Sequence, residues 1–253
     1  MNEAPNASRP NHRKLYATRI TLNTVVKKFM IGSMNAFQRR IYLSMLAGFI
    51  LQSPASHAGP LTSSYEPIPD AVWNNMQGRS WRADLSCAKR DELALMHLPY
   101  HDFTGAAQMG DMIVARNAAP QVARIFNEIF KEGNFRIYQM QLIDAYNGDD
   151  DQSIAANNTS GFNCRLTDHG GLSKHALGLA IDINPIQNPY REGDLTAPEA
   201  GKPYDRPEER QYNIVGMIHE GDSVIRAFAR RGWSWGGRWK HTVDYQHFFY
   251  NGH

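Results

Sequence analysis

From Ser173 to Asp182 the chain reads Ser-Lys-His-Ala-Leu-Gly-Leu-Ala-Ile-Asp, and sixty-odd residues later it reads Asp244-Tyr-Gln-His247. His175, Asp182 and His247 form a zinc-ligand set of the hydrolytic kind. Three N/O ligands leave a fourth tetrahedral position for a water whose pKa falls toward about 7. The spacing dictates folding. Seven residues of extended chain would carry His175 and Asp182 to opposite faces, roughly 23 Å apart. Both reach one ion only if the backbone reverses, and Gly178, midway, tolerates the positive φ a reversal demands. Ala180 is small enough to pack beside the site. His175 is therefore expected on a loop or helix end and Asp182 on the following strand. Asp244 and His247 likewise need a bulge or turn at Tyr245-Gln246, because a regular strand sends them to opposite faces.

Taken singly, each of these residues is more often structural: a histidine near an apolar strand is usually a satisfied core residue, and an aspartate usually caps a turn. Jointly, Ser-x-His-x6-Asp with an interior glycine and a downstream Asp-x-x-His is improbable by chance in a chain with 10 histidines. His97, His101, His219, His241 and His253 have no comparable setting; His169 lies close enough in sequence to be a reserve ligand.

The rest of the chain bounds what surrounds this pattern. Its 253 residues, 42% hydrophobic and 21% charged, suffice for a sizeable core. No repeat recurs, and no apolar run reaches the roughly 18 residues of a membrane-spanning helix. The formal charge of +2 hides an asymmetry: residues 1–58 carry 8 Lys/Arg and 1 acid, whereas residues 59–253 carry 19 and 24. The mildly acidic body gives no electrostatic footprint for nucleic acid. The basic excess belongs to a leader. After Met34, Arg39-Arg40, an apolar stretch from Ile41 to Leu51 and Ser56-His57-Ala58 read as a secretory signal peptide over 34–58. Residues 1–33 precede this second candidate start and are read as a leader that is not part of the translated protein. Export makes a Cys87–Cys164 disulfide plausible, although sequence alone does not show that the two come close enough. Neither Gly-x-Gly-x-x-Gly nor a Walker-type loop occurs, which sets dinucleotide and ATP chemistry aside.

Residues 59–85, with Pro60, Pro67 and Pro69, are expected to be an extended arm laid over the domain. Strands are predicted at Leu93–Tyr100 and Asp111–Ala115. A helix is predicted over 118–132, where Val122, Ile125, Phe126, Ile129 and Phe130 share a face between the cap candidate Asn117 and Gly133. A strand Phe135–Asp144, a surface loop Asn147–Ser160, a strand Leu179–Ile183 and a loop from Asn188 to about Arg210 follow. A helix capped by Asp222 and stopped by Gly232, and a strand Asp244–Tyr250, close the chain. The pattern favours an α+β fold with a small central antiparallel sheet flanked by helices.

SKHALGLAID together with DYQH resembles the Ser-x-His-x-x-Gly-x-Ala-x-Asp and [Asp/Glu]-x-x-His motifs of the D-alanyl-D-alanine carboxypeptidase (VanY-like) and L-alanyl-D-glutamate endopeptidase metallopeptidases. That family sits in a wider group with lysostaphin-type enzymes and the hedgehog signalling domain. The resemblance extends to NNTSGFNCR (157–165), DINPIQNPY (182–190) and GWSWGGRW (232–239), covering roughly residues 85–250. It implies a single catalytic domain over 86–253 with a hedgehog/D-Ala-D-Ala peptidase-like fold. It also implies one Zn2+ per chain on His175, Asp182 and His247, with Asp244 as general base. Aspartate rather than glutamate at that position resembles the endopeptidase branch. Arg165 matches the family arginine on the substrate carbonyl and oxyanion, a surface ion pair to Asp149-Asp150-Asp151 being its alternative role. Ser173 is expected to support the substrate. Trp235 and Trp239, with Trp233, are candidates to line a cleft for a sugar-bearing peptide, and core packing is expected for at least one of them.

The resulting expectation is an exported zinc peptidase acting on peptidoglycan stem peptides in a bacterial periplasm or envelope, monomeric and without nucleic-acid partners or a membrane span in its mature form. The alternatives are a zinc-containing but non-catalytic binding domain of the cell wall and a metal-free structural protein of the envelope.

Overall fold

Leu93 to Tyr100 is apolar at nearly every position because both of its faces are covered. In the computed structural model, which describes residues 61–251, this segment is the middle strand of an antiparallel meander. It comprises β1 (Ser64–Pro67), β2 (Leu93–His101) and β3 (Ala107–Ala115), with a short helix α1 (Asp70–Met76) after β1. Side chains alternate along β2. Ala94, Met96 and Leu98 enter the main core, while Leu93 and Leu95 meet a second cluster with Ile68, Met76, Ile113 and Phe162. The segment read as an extended arm contributes a strand and a helix to the domain. The expected leader and signal peptide lie outside the described residues.

Helix α2 (Ala119–Glu132) presents Val122, Ile125, Phe126 and Ile129 to the meander and ends before Gly133, in the left-handed conformation that closes helices. Its N-cap is Ala118 rather than Asn117. Beyond it the predicted strand over 135–144 shrinks to β4 (Gln139–Met140), followed by a 3-10 turn, Ile143–Tyr146. The backbone here is held by other partners, Ile137 N–H donating to His101 O at 2.9 Å and Tyr138 N–H to Asn184 Oδ1 at 2.9 Å. The predicted loop over 147–160 also needs correction. It contains helix α3 (Asp150–Ala155) and β5 (Asn158–Thr159), which runs parallel to β4. Asp149 caps α3 by accepting from Gln152 N–H at 3.0 Å, so the Asp run reads as a helix start rather than as solvated chain.

The remaining strands are short: β6 (Ala180–Asp182), β7 (Tyr190–Glu192), β8 (Leu195–Ala197), β9 (Trp233–Trp235), β10 (Thr242–Asp244) and β11 (His247–Tyr250). Helix α4 (Ser223–Ala229) precedes β9. They form two further three-stranded antiparallel sheets, in the orders β6-β11-β9 and β10-β7-β8. The α+β class holds, with several small sheets in place of one central sheet. The loop expected over 188–210 encloses the β7–β8 hairpin, and the single terminal strand divides into β10 and β11. Phe228 of α4 meets Phe126 of α2 edge-on at 6.3 Å and stacks on Phe248 of β11 at 4.1 Å, joining both helices to the β6-β11-β9 sheet. Among the described residues no helix is long and apolar enough to cross a membrane.

Cys87 and Cys164 are bonded, with Cα atoms 5.7 Å apart, and tie the arm's end to the segment before Ser173. A cross-link closing 77 residues stabilises mainly by restricting the unfolded chain, by about 2–4 kcal/mol. Urea unfolding with and without reductant is expected to show a lower midpoint for the reduced protein; coincident midpoints would contradict this role.

Candidate functional site

The two halves of the pattern meet through strand register. Asp182 ends β6 and lies directly across from His247, the first residue of β11. Directly opposed residues of an antiparallel pair project from the same face, so two side chains 65 positions apart become neighbours. On the other side of β6 a single bridge to Ser160 holds Asp182, with Asp182 N–H donating to Ser160 O at 2.9 Å and Ser160 N–H to Asp182 O at 3.0 Å.

His175 arrives by the reversal. It opens a 3-10 turn, His175–Leu177, which Gly178 closes with φ +66° and an N–H bonded to His175 O at 3.0 Å. A Cβ on Gly178 would lie 2.3 Å from Ala115 N, because the turn docks on the end of β3, where Ala115 N–H donates to Gly178 O at 2.9 Å. Ser173 is buried and its Oγ accepts from His175 N–H at 3.2 Å, stiffening the turn.

Three ligand-capable atoms converge: His175 Nε2, His247 Nδ1 and the Asp182 carboxylate lie within 4.8 Å of one another, all buried. His175 Nε2 is 3.1 Å from Asp182 Oδ2 and 3.2 Å from His247 Nδ1, which is itself 2.9 Å from Asp182 Oδ1. The other nitrogen of His175 orients the ring. Nδ1 lies 2.6 Å from the Gly161 carbonyl, an acceptor, so Nδ1 donates there and Nε2 is the nitrogen turned inward toward Asp182 and His247. Two imidazole nitrogens and a carboxylate out of water need positive charge between them. Burial opposes ionisation of Asp182, but His175 and His247 outweigh it and hold its carboxyl below the usual range. For His247, burial works against the charged ring, and Asp182 more than compensates, raising its pKa. The set fits a divalent cation that accepts N and O ligands.

Asp244 sits beside this cluster. β10 stops at Asp244, the chain bends at Tyr245-Gln246, and β11 begins at His247. The bend lets one segment serve two sheets, β10 pairing with β7 and β11 with β6 and β9. Asp244 Oδ1 is enclosed and has no hydrogen-bond partner. Burial pushes its carboxyl up to about 6, the histidine at 247 opposing this and the Asp182 charge adding to it. Gly236 lets the 3-10 turn Gly236–Arg238 pass close, since a Cβ there would meet Asp244 O at 2.8 Å.

A cleft of about 480 Å³ takes in the three cluster residues with Asp244, Arg165, Ser173 and Trp239. A larger hollow of about 630 Å³ lies elsewhere, around Cys87, Arg116 and Leu177, without a converging ligand set. Arg165 lines the cleft and makes an ion pair with Asp150 at 2.9 Å, a contact with the acidic run that was the alternative expected for it. Its Nε is enclosed and unpartnered. Trp239 is 40% exposed, with its ring 5.7 Å from that of His247, and offers a surface to a ligand. Trp235 does not line the cleft. It is in the core, where its indole N–H donates to Tyr245 O at 2.8 Å and anchors the bend; Trp233 is in the core as well. His169 is exposed at the rim, 4.0 Å from Glu192 and outside the ligand cluster. Gly161 was missed by the residue reading, because a backbone carbonyl leaves no mark on side-chain patterns.

Residues 167–250 match the D-alanyl-D-alanine carboxypeptidase family model. Neither the curated proteins nor the solved structures compared with the chain match it. The matched stretch contains the reversal, the opposed Asp182–His247 pair and Asp244, so over those residues the chain is similar to peptidases of that type, in agreement with the resemblance seen in the motifs.

Gly178→Ala is expected to destabilise the protein by about 2 kcal/mol or more, since it combines a left-handed φ with a backbone clash. The shift in urea midpoint measures it, and an unchanged midpoint would mean the turn can be relaxed.

Proposed function

We propose that this chain, similar over residues 167–250 to peptidases of the D-alanyl-D-alanine carboxypeptidase type, is a zinc enzyme that hydrolyses amide bonds in peptidoglycan stem peptides. The convergence of His175 Nε2, His247 Nδ1 and the Asp182 carboxylate carries this reading. These residues would hold the ion, and His/His/Asp is a donor set suited to zinc. When bound, zinc supplies a Lewis acid that polarises the scissile carbonyl and acidifies a water at the open position.

The chain's own groups do the rest. Asp244, its enclosed Oδ1 free of protein partners, takes a proton from the attacking water and returns it to the leaving amine as the C–N bond breaks. A carboxyl held near 6 by burial is suited to both transfers around neutral pH. Arg165 faces the developing oxyanion; reaching it requires the guanidinium to share or exchange its contact with Asp150. The reaction needs no further cofactor, and a peptide substrate fits a cleft walled on one side by Trp239. Export to the periplasm or envelope belongs to the same proposal, supported by the leader's composition and by a disulfide of the kind that persists outside a reducing cytosol.

Elemental analysis is expected to find one zinc per chain, which a chelator removes together with hydrolysis of purified muropeptides. Full activity in metal-free protein would refute the zinc reading. Asp244→Asn is expected to keep zinc and lose about 10²-fold or more in turnover. Loss of the metal instead would make Asp244 a ligand. Product masses identify the bond: loss of one alanine means a carboxypeptidase, and release of a longer peptide an endopeptidase.

A further inference from the structure

Behind the bend that separates Asp244 from His247 lies a half-buried cation. Arg210 comes from the polar segment after β8, and its guanidinium carbon is 3.7 Å from the centroid of the Tyr245 ring. Nη1 donates to Gln187 O at 3.1 Å and Tyr204 O at 3.0 Å, and Nη2 donates to Asn188 Oδ1 at 3.0 Å and Ile218 O at 2.8 Å. Among the described residues it has no carboxylate in ion-pair contact; burial lowers its pKa to about 10, Asp222 acting only at longer range. It is therefore still charged at neutral pH.

A charge partly withdrawn from water without an opposite partner is costly unless other groups solvate it. Here three carbonyls, one amide oxygen and an aromatic face do so. The arrangement uses the planar fork of arginine, which a point-charge lysine does not reproduce. The acceptors are themselves fixed: Asn188 Nδ2 donates to Ile183 O at 3.1 Å, Asn184 O at 3.2 Å and Gly216 O at 2.9 Å, locking the segment after Asp182. The bend is then held from three sides. Trp235 bonds Tyr245 O, Ile183 N–H donates to Gln246 O at 3.0 Å, and Arg210 grips the Tyr245 ring from within a rigid cage.

We propose that Arg210 is a positioning residue: by clamping the Tyr245 ring it sets the bend, and through it the placement of Asp244 relative to the ligand His247. The inference rests on the roles assigned to these two residues above. Arg210 touches neither the cleft nor a reacting atom, so its removal acts on geometry and not on substrate contact.

The test compares Arg210→Met, Arg210→Lys, Tyr245→Leu and the Arg210→Met/Tyr245→Leu double variant in the full chain, each assayed well below its melting temperature. In Arg210→Met, kcat on muropeptides is expected to fall about tenfold or more with KM within about twofold. The affinity of the stripped protein for Co2+, followed by visible absorption, is expected to fall by about the same factor. Arg210→Lys should recover part of both, and the double variant should be no worse than the poorer single one, the signature of coupled residues. Should Arg210→Met fail to fold, Tyr245→Leu breaks the same contact from the other side. Unchanged kcat and Co2+ affinity in folded Arg210→Met or Tyr245→Leu would overturn the inference, as would losses that merely follow the folded fraction. A wild-type protein that cleaves no muropeptide, but whose Co2+ affinity depends on Arg210, would sink the peptidase reading and leave the clamp standing.

Discussion

Asp182 is a carboxylate withdrawn from water and faced by two imidazoles. Its backbone belongs to a strand pair on one side and a single bridge on the other, so it has little freedom to move away. His247 reaches it because it lies across the ladder, and His175 because the chain reverses at Gly178. A one-residue slip of β11 against β6 would turn His247 to the opposite face. The cluster thus depends on register, and register here is set by the packing of Phe248 of β11 against Ile181 of β6 and Trp235 of β9 in the core.

What the residue pattern revealed was the part that short-range geometry controls. The need for a reversal between His175 and Asp182, and for a bend at Tyr245-Gln246, follows from strand periodicity alone, and both features are present. The 118–132 helix was equally legible, because one apolar stripe of Val122, Ile125, Phe126 and Ile129 has only one way to be buried. The pairing of strands was not legible. Segments of two to four residues, such as Gln139–Met140 or Tyr190–Glu192, carry too few side chains for a period to emerge, and their partners are chosen by the tertiary fold.

Polar residues were misread for a related reason. Between Asn147 and Ser160 the density of Asn, Asp and Ser suggests solvated chain, yet Asn157, Asn158, Thr159 and Ser160 are buried. Their side chains replace missing sheet hydrogen bonds: Asn158 Nδ2 donates to Gln141 O at 3.0 Å, and Asn157 Oδ1 accepts from Ile186 N–H at 2.9 Å. Composition cannot separate an amide facing water from one that satisfies buried backbone, since both are polar and only the fold distinguishes them. Trp235 shows the converse. An aromatic near a candidate site invites a ligand-binding role, but its N–H is committed to Tyr245 O.

The amides at 157, 158, 184 and 188 and the cation at 210 therefore form a polar scaffold under the cleft, where a protein of this size would ordinarily use apolar packing. Irregular chain is the reason. The site draws on five short strands and several turns, so many backbone groups near it lack ladder partners and must be paired by side chains. Apolar contacts do not specify such turns to a few tenths of an ångström, whereas fully satisfied hydrogen bonds in a low dielectric do so at a high penalty for any displacement. Rigidity at the metal cluster is thus obtained from buried polarity rather than from regular secondary structure. The substitutions that disturb the site most while leaving the apolar core intact are accordingly those that remove one member of this network and leave the others unpaired.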